Sequence, residues 1–243
     1  NYSVDSSVPT IIINTVASDN IVNASEADAG VTVSGSTTAE AGQIVTITLN
    51  SPTVQTYQAT VQADGSWSIN IPAADLEALT DGSHTLTATV NDKAGNPAST
   101  THNLAVDLTV PVLTINTVSG DDIINAAEHG QALVISGSSA GGEAGDVITV
   151  TLNSKTYTTT RDASGNWSVG VPAADVTALG SGPQTITATI TDIAGNSDDA
   201  SRTVTVNLTA PTIGINTIAS DDVINATEKG ADLQITGTSN QPA

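Results

Sequence analysis

The chain has 243 residues, 25 of them Asp or Glu and only 5 Lys or Arg, for a formal net charge of −20 at pH 7. That excess of one sign repels nucleic acid and anionic lipid, whose recognition needs Lys and Arg to displace counterions. With no Cys, disulfides, iron–sulfur clusters and thiolate zinc sites are excluded, and no apolar run approaches the roughly 20 residues of a membrane span.

The chain opens Asn1-Tyr2-Ser3 with no Met and no recognisable leader, so a piece of a longer protein is expected. The first patterned stretch runs from Pro9 as PTIIINTVASDNIVNASE. It returns from Pro111 as PVLTINTVSGDDIINAAE and from Pro211 as PTIGINTIASDDVINATE. A period of roughly 100 residues marks tandem repeats. We expect residues 1–8 to end a preceding repeat, with complete units at 9–107 and 108–207. Residues 208–243 would be the N-terminal part of a third.

Within the first unit the elements follow in order. Val45, Ile47 and Leu49 alternate with Thr46 and Thr48, the period-two pattern of a half-buried strand. Asp64-Gly65 reads as a hairpin turn. Trp67, Ile69 and Ile71 alternate with Ser68 and Asn70, and Leu86, Ala88 and Val90 alternate with Thr87 and Thr89. Pro72 to Leu79 is the one helix-like stretch, a single short turn. β-branched, polar Thr suits the outward face of a pleat, which accounts for its 38 occurrences. About seven short strands in about 100 residues, with no long helix, predict an all-β fold of tandem immunoglobulin-like β-sandwiches. The linkers Asp107-Leu108-Thr109-Val110-Pro111 and Asn207-Leu208-Thr209-Ala210-Pro211 are short and hold Pro, so the domains should sit end to end as a stiff rod.

This topology gathers acidic residues at two poles. At the entry pole of the second unit, Glu143, Asp192 and the linker's Asp107 should converge. Glu40, Asp92 and Asp5 are their counterparts in the first. The exit pole carries the pattern Asp-(Asp/Asn)-x-x-Asn-x-x-Glu. It is Asp19, Asn20, Asn23 and Glu26 in the first unit, Asp121, Asp122, Asn125 and Glu128 in the second, and Asp221, Asp222, Asn225 and Glu228 in the third. Crowded carboxylates repel, and almost no Lys or Arg is available to pair them. Ca2+, which takes six to eight oxygen ligands, is the expected counter-charge, ahead of Mg2+ with its octahedral demand. For any single Asp, turn and cap chemistry is the competing reading.

Catalysis finds little support, and no enzyme is expected. His84, His102 and His129 align with Gln184, Arg202 and Ala27 or Lys229, so no histidine recurs. Trp67 and Trp167 fall on apolar strand faces, which leaves Tyr57 and Tyr157 as modest candidates for a ligand-stacking surface.

The combined motifs carry a family resemblance. Asp-x-Thr-x-Pro at the linker, Ile-Asn-Thr, Asp-Asp-Ile-Ile-Asn-Ala-Ala-Glu, Glu-Ala-Gly-x-x-x-Thr-x-Thr-Leu-Asn, Asp-Gly-Ser-Trp-Ser, Pro-Ala-Ala-Asp and Asp-x-Ala-Gly-Asn resemble bacterial Ig-like repeats. Such repeats build giant non-fimbrial adhesins exported by type I systems, with the SiiE-like group nearest and BapA-like biofilm proteins next. The resemblance covers essentially the whole chain. It implies a secreted, surface-exposed, monomeric stalk with structural Ca2+ at its domain junctions. Its partners would be neighbouring repeats in the same chain and, through the full-length protein, glycans of a host-cell surface. Asn20 and Asn207 depart from the Asp of the other copies, which weakens the case for calcium there. Two other readings stay open: a glycan- or receptor-binding module, and a spacer within a secreted polysaccharide-degrading enzyme.

Overall fold

The computed structural model describes residues 4–50 and 54–240. The outermost residues of the expected preceding repeat and of the expected third unit, 1–3 and 241–243, lie outside it, as do 51–53. The fold is all-β, with two Ig-like sandwiches in tandem. In the first, strands β1 (Ile11–Ile13), β3 (Val31–Thr37) and β6 (Ser66–Ile71) form one sheet in the order β1-β3-β6. Strands β2 (Ile21–Asn23), β4 (Ile44–Asn50), β5 (Gln55–Thr60), β7 (Gly82–Asn91) and β8 (Pro97–Asp107) form the other, in the order β2-β8-β7-β4-β5. The second sandwich repeats both sheets. Its strands are β9 (Val112–Ile115), β10 (Ile123–Asn125), β11 (Leu133–Ala140), β12 (Val147–Leu152), β13 (Lys155–Thr160), β14 (Asn166–Val171), β15 (Gly182–Thr191) and β16 (Ser197–Asn207).

The alternation expected from the sequence is realised in register. Across β4 and β7, Val45 faces Val90, Ile47 faces Ala88 and Leu49 faces Leu86, and all six are buried. The intervening pairs Thr46–Thr89 and Thr48–Thr87 point outward, where cross-strand Thr pairs add their own contacts. The two cores are separate. One is built on residues between Ile11 and Val106, the other on residues between Leu113 and Val206.

Each core centres on a tryptophan laid over a glycine. Trp67 and Trp167 are 1% and 4% exposed. A Cβ on Gly35 would lie 1.9 Å from the Ile12 carbonyl and 2.5 Å from the Trp67 ring, and Gly137 sits equally close to Thr114 and Trp167. Asp64-Gly65 makes the expected turn, with Gly65 at φ 82°. The helix-like stretches form as α2 (Ala73–Leu76) and α3 (Ala173–Thr177).

Two features went beyond the sequence reading. The first strand of each unit splits between the sheets: β1 pairs antiparallel with β3, whereas β2 pairs parallel with β8, setting Asn23 opposite Asp107. The exit-pole stretch of the first unit also contains a helix, α1 (Ala24–Ala29). In the third unit, β17 (Ile213–Ile215) and β18 (Gly237–Ser239) pair as an isolated ribbon, with Ile213, Ile215 and Ile235 exposed.

Candidate metal centre at the domain junction

The first sandwich ends at Asp107, where the chain turns at once. Asp107 Oδ1 accepts the Thr109 amide at 3.1 Å. Asp81, in the loop between α2 and β7, holds the same linker. Its carboxylate takes the Leu108 amide at 2.7 Å and the Thr109 hydroxyl at 2.5 Å. These two bonds hold the Asp81 carboxyl below the usual carboxylate range.

The second sandwich meets this linker with its β11–β12 and β15–β16 loops. The latter closes on itself, Asn196 donating its amide to Asp192 Oδ1 at 2.8 Å and its side-chain NH2 to Asp192 Oδ2 at 3.0 Å. Gly195 supplies the left-handed residue that the turn requires, at φ 91°. The Asn196 NH2 also reaches the Asp107 carbonyl at 3.0 Å. From the first sandwich, Asn23 donates its side-chain NH2 to the Ala194 carbonyl at 3.0 Å. As a result Ala194 is buried, whereas its counterpart Ala94 is exposed.

Here Asp107, Glu143 and Asp192 converge, each presenting a carboxylate oxygen within 4.8 Å of the other two. No other group of three or more Asp, Glu or His comes this close among the described residues. Asp192 is buried, Asp107 half-buried and Glu143 exposed. Burial, then the charges of Asp192, Asp81 and Asp146, push up the Asp107 carboxyl against the Thr109 bond. Glu143 is raised by burial and by Asp146, Asp107 and Asp192, with Arg161 opposing. The donors are all hard carboxylate oxygens and the cluster is short of positive charge, so the residues suit a cation such as Ca2+.

The first unit holds the matching residues less closely. Asp5, Glu40 and Asp92 line one open cleft of about 190 Å³. Asp5 Oδ1 accepts the Ser7 amide at 2.9 Å, and Glu40 Oε2 accepts the Lys93 amide at 3.0 Å. Asp92 is held by its Asn96, whose side chain holds the carboxyl below its ordinary range.

Among the described residues the exit-pole carboxylates form no group of three within 4.8 Å of one another. Their oxygens serve the local backbone, and Asp122 also takes Arg202 while Asn20 Oδ1 meets His102. Asp19, Asp121 and Asp221 each accept the amide two residues on, at 2.9, 2.9 and 3.0 Å. Asn20, Asp122 and Asp222 are left-handed at φ 70°, 62° and 61°. Each closes its turn by accepting the amide of Val16, Val118 or Ile218. Asn23 and Glu26 form a capping box on α1. Asn125 with Glu128, and Asn225 with Glu228, exchange the same pair of bonds. Local turn and cap chemistry therefore accounts for this pattern.

The tyrosines are also engaged. Tyr57 and Tyr157 donate to Asp75 and Asp175 at 2.7 and 2.8 Å and pack against the cores. Burial and these carboxylates raise both phenols, that of Tyr157 to about 12.

A family model described as bacterial Ig-like domain matches residues 6–108 and 119–208. The chain belongs to this family. Several solved structures align with these bacterial Ig-like domains. A Ca2+-stabilized adhesin that helps an Antarctic bacterium reach out and bind ice is 36% identical, covering 98% of this chain and 59% of its own, with a TM-score of 0.48. A 1.5-MDa bacterial ice-binding adhesin, described for its host cell surface retention, is 29% identical over 96% of this chain and 76% of its own, with a TM-score of 0.45. A bacterial immunoglobulin-like domain of the M. primoryensis ice-binding adhesin is 38% identical over 41% of this chain and 99% of its own, with a TM-score of 0.33. These descriptions name ice-binding adhesins rather than the SiiE-like group. The chain thus spans 59% of the length of the first of them. No curated protein matches the chain. No helix among the described residues is long and apolar enough to cross a membrane.

Three residues at this junction escaped the sequence reading. Asn196 recurs as Asn96 inside Asp-x-Ala-Gly-Asn, so repetition alone marked it. Asp81 aligns with Ser181 and Asp146 with Gln43, so neither recurs.

Proposed function

We propose that this chain is a non-enzymatic stalk segment of a large secreted bacterial adhesin, and that Ca2+ at the junction of its Ig-like domains stiffens it into a rod. One observation carries the reading: three carboxylates from two domains meet within 4.8 Å. Asp107 arrives at the end of the first sandwich, and Glu143 and Asp192 come from loops of the second. A cation bound to all three fixes one domain against the next, and without it the three charges push the domains apart. Extracellular calcium modules bind with Kd of roughly 10⁻⁴–10⁻³ M. That range leaves the joint loose at low cytosolic calcium during export and stiff outside the cell. In this reading the full-length protein attaches to a host-cell surface glycan, and the present domains extend the reach.

The non-enzymatic reading is supported by the histidines. His84 and His129 bond the Thr80 and Leu179 carbonyls at 2.8 and 2.9 Å, and His102 lies 2.7 Å from Asn20 Oδ1. The reading as a stalk rather than a receptor-binding module is supported by Tyr57 and Tyr157, whose hydroxyls are tied to Asp75 and Asp175.

Calorimetric titration with CaCl2, together with small-angle scattering in calcium and in chelator, tests the proposal. Binding heat and a longer maximum dimension in calcium are expected. Absence of heat with an unchanged dimension would overturn it.

A further inference from the structure

The entering and leaving strands of each sandwich run side by side in the same direction. In the second, Leu113 of β9 donates its amide to Asp198, near the start of β16, at 2.7 Å. Past the crossover, β10 pairs parallel with β16 and sets Asn125 opposite Asn207, where the chain leaves. The first sandwich has the same parallel pairing, with Asn23 opposite Asp107. The chain therefore enters each sandwich at one pole and leaves at the other. Tension between its ends drags the entering segment along the leaving strand and strains all the bonds between them together.

The backbone bonds at this contact match in the two units. The Asp122 carbonyl accepts the Thr205 amide at 2.8 Å, and the Asn20 carbonyl accepts the Ala105 amide at 2.9 Å. The side-chain bonds do not match. Arg202 of β16 donates to the Ile115 carbonyl and the Thr117 hydroxyl, both at 3.0 Å, and to the two Asp122 carboxylate oxygens at 2.7 and 2.5 Å. One guanidinium fork thus fastens the crossover from β9 to β10 onto β16. In the first unit Ala98 stands in place of Asp198, His102 in place of Arg202 and Asn20 in place of Asp122. There His102 Nε2 meets Asn20 Oδ1 at 2.7 Å, and Ala98 has no polar side-chain atom to offer. Asp81 does not offset the difference, because it holds Leu108 and Thr109 from the β7 side of β8, away from β2.

We propose that Asp198 and Arg202 form a strap that makes the second sandwich mechanically stronger than the first, so that under tension the first yields and lengthens while the second holds. The inference rests on the stalk reading for the source of the tension, and on no bound cation. Forced unfolding follows the unfolding rate, and the charge-assisted bonds of the strap must break before β10 can slide along β16.

Single-molecule force spectroscopy on the intact chain, held by its two ends in chelator, tests the strap. The unmodified chain should give two sandwich unfolding events at unequal force. D122N/D198A/R202H gives the second unit the residues of the first. It should make the stronger event about tenfold faster at a given force and leave the weaker event in place. N20D/H102R should raise the force of the weaker event, and this holds even if the triple variant fails to fold. Equal forces in the unmodified chain, a stronger event unmoved by the triple substitution, or a weaker event unmoved by N20D/H102R would each overturn the strap. The stalk reading is decided by the calcium titration and scattering above, so the two can fail separately.

Discussion

The backbone amide of Ala24, at the start of α1 in the first sandwich, donates to Asn196 Oδ1 of the second at 2.8 Å. The first amides of a helix have no partner within it, and here one of them is satisfied by the neighbouring domain. The matching stretch of the second unit, residues 126–130, forms turns rather than a helix, although its Asn125–Glu128 pair is the same. The difference follows the neighbour: α1 leans on the Asp192–Asn196 loop of the next domain. Asn196 therefore links three parts of the junction, namely α1, the Asp107 carbonyl and its own loop.

Replacing Asn196 with Ala removes its three side-chain bonds at once, to the Ala24 amide, the Asp107 carbonyl and Asp192 Oδ2, and keeps its backbone amide on Asp192 Oδ1. A typical buried hydrogen bond contributes about 1 kcal/mol net, so N196A should lower the stability of the second sandwich by about 1–3 kcal/mol and loosen the joint. Inter-domain residual dipolar couplings or the scattering envelope report the joint, and urea denaturation reports the domain. N96A removes the counterpart bonds within the first unit and should leave the junction unchanged. An N196A protein with an unaltered inter-domain orientation would show that the linker alone sets the joint.

The tryptophan cores make a sharper test. Gly35→Ala and Gly137→Ala would each place a methyl 1.9 Å from a carbonyl oxygen and against the Trp67 or Trp167 ring. Overpacking a close-packed interior costs roughly 1–3 kcal/mol, and the backbone contact puts these changes at the upper end. Gly170→Ala is the control, with nothing within 4 Å of the added Cβ. Denaturation midpoints should fall for the first two variants and stay level for the third.

How far the sequence could be read depended on what each residue signals. Alternation of Val, Ile and Leu with Thr gave the strands, because the period of two is a property of one strand alone. The convergence of Asp107, Glu143 and Asp192 was legible because it follows from strand order. The exit-pole pattern looked like a ligand set, yet Asp19, Asn23 and Glu26 bond to amides two or three residues away. Composition does not separate a carboxylate that serves its own turn from one that faces a neighbour's loop. Asp146 was hidden for a different reason: it aligns with Gln43, and its burial beside Gly142 is a property of the folded loop rather than of a recurring motif.

The paired exit-pole positions Asn20 and Asp122 should differ in acid. Asp122 receives Arg202 through two bonds at 2.7 and 2.5 Å. This pairing, with the Val118 amide, holds its carboxyl down to about 2. A carboxyl lowered from its unfolded value near 3.9 contributes stability that is present above that value and is lost as pH falls through about 2. Asn20 does the same work in the first unit without titrating. The amide resonance of Val118 is expected to shift with a midpoint near pH 2, while that of Val16 stays flat. In D122N the Val118 titration should vanish. A Val118 midpoint near 4 would mean that Arg202 does not hold Asp122 in solution.

The last prediction concerns Asp107, which belongs to one domain by chain and to the other by chemistry. Its register partner across β8 is Asn23, its carbonyl accepts from Asn196, and its carboxylate joins Glu143 and Asp192. A cation there is a joint only if the linker residue is one of its ligands. D107N keeps the shape and the carbonyl oxygen but removes one of the charges, so Ca2+ affinity should fall by about tenfold or more. E143Q and D192N should weaken binding similarly while leaving the linker's own contacts in place. The distinguishing readout is mechanical: D107N should also blunt the calcium-induced extension seen by scattering at saturating calcium. If calcium still stiffens D107N fully once bound, the ion sits within the second domain alone, and the direct contacts of Asn23, Ala24 and Asn196 set the rod's geometry.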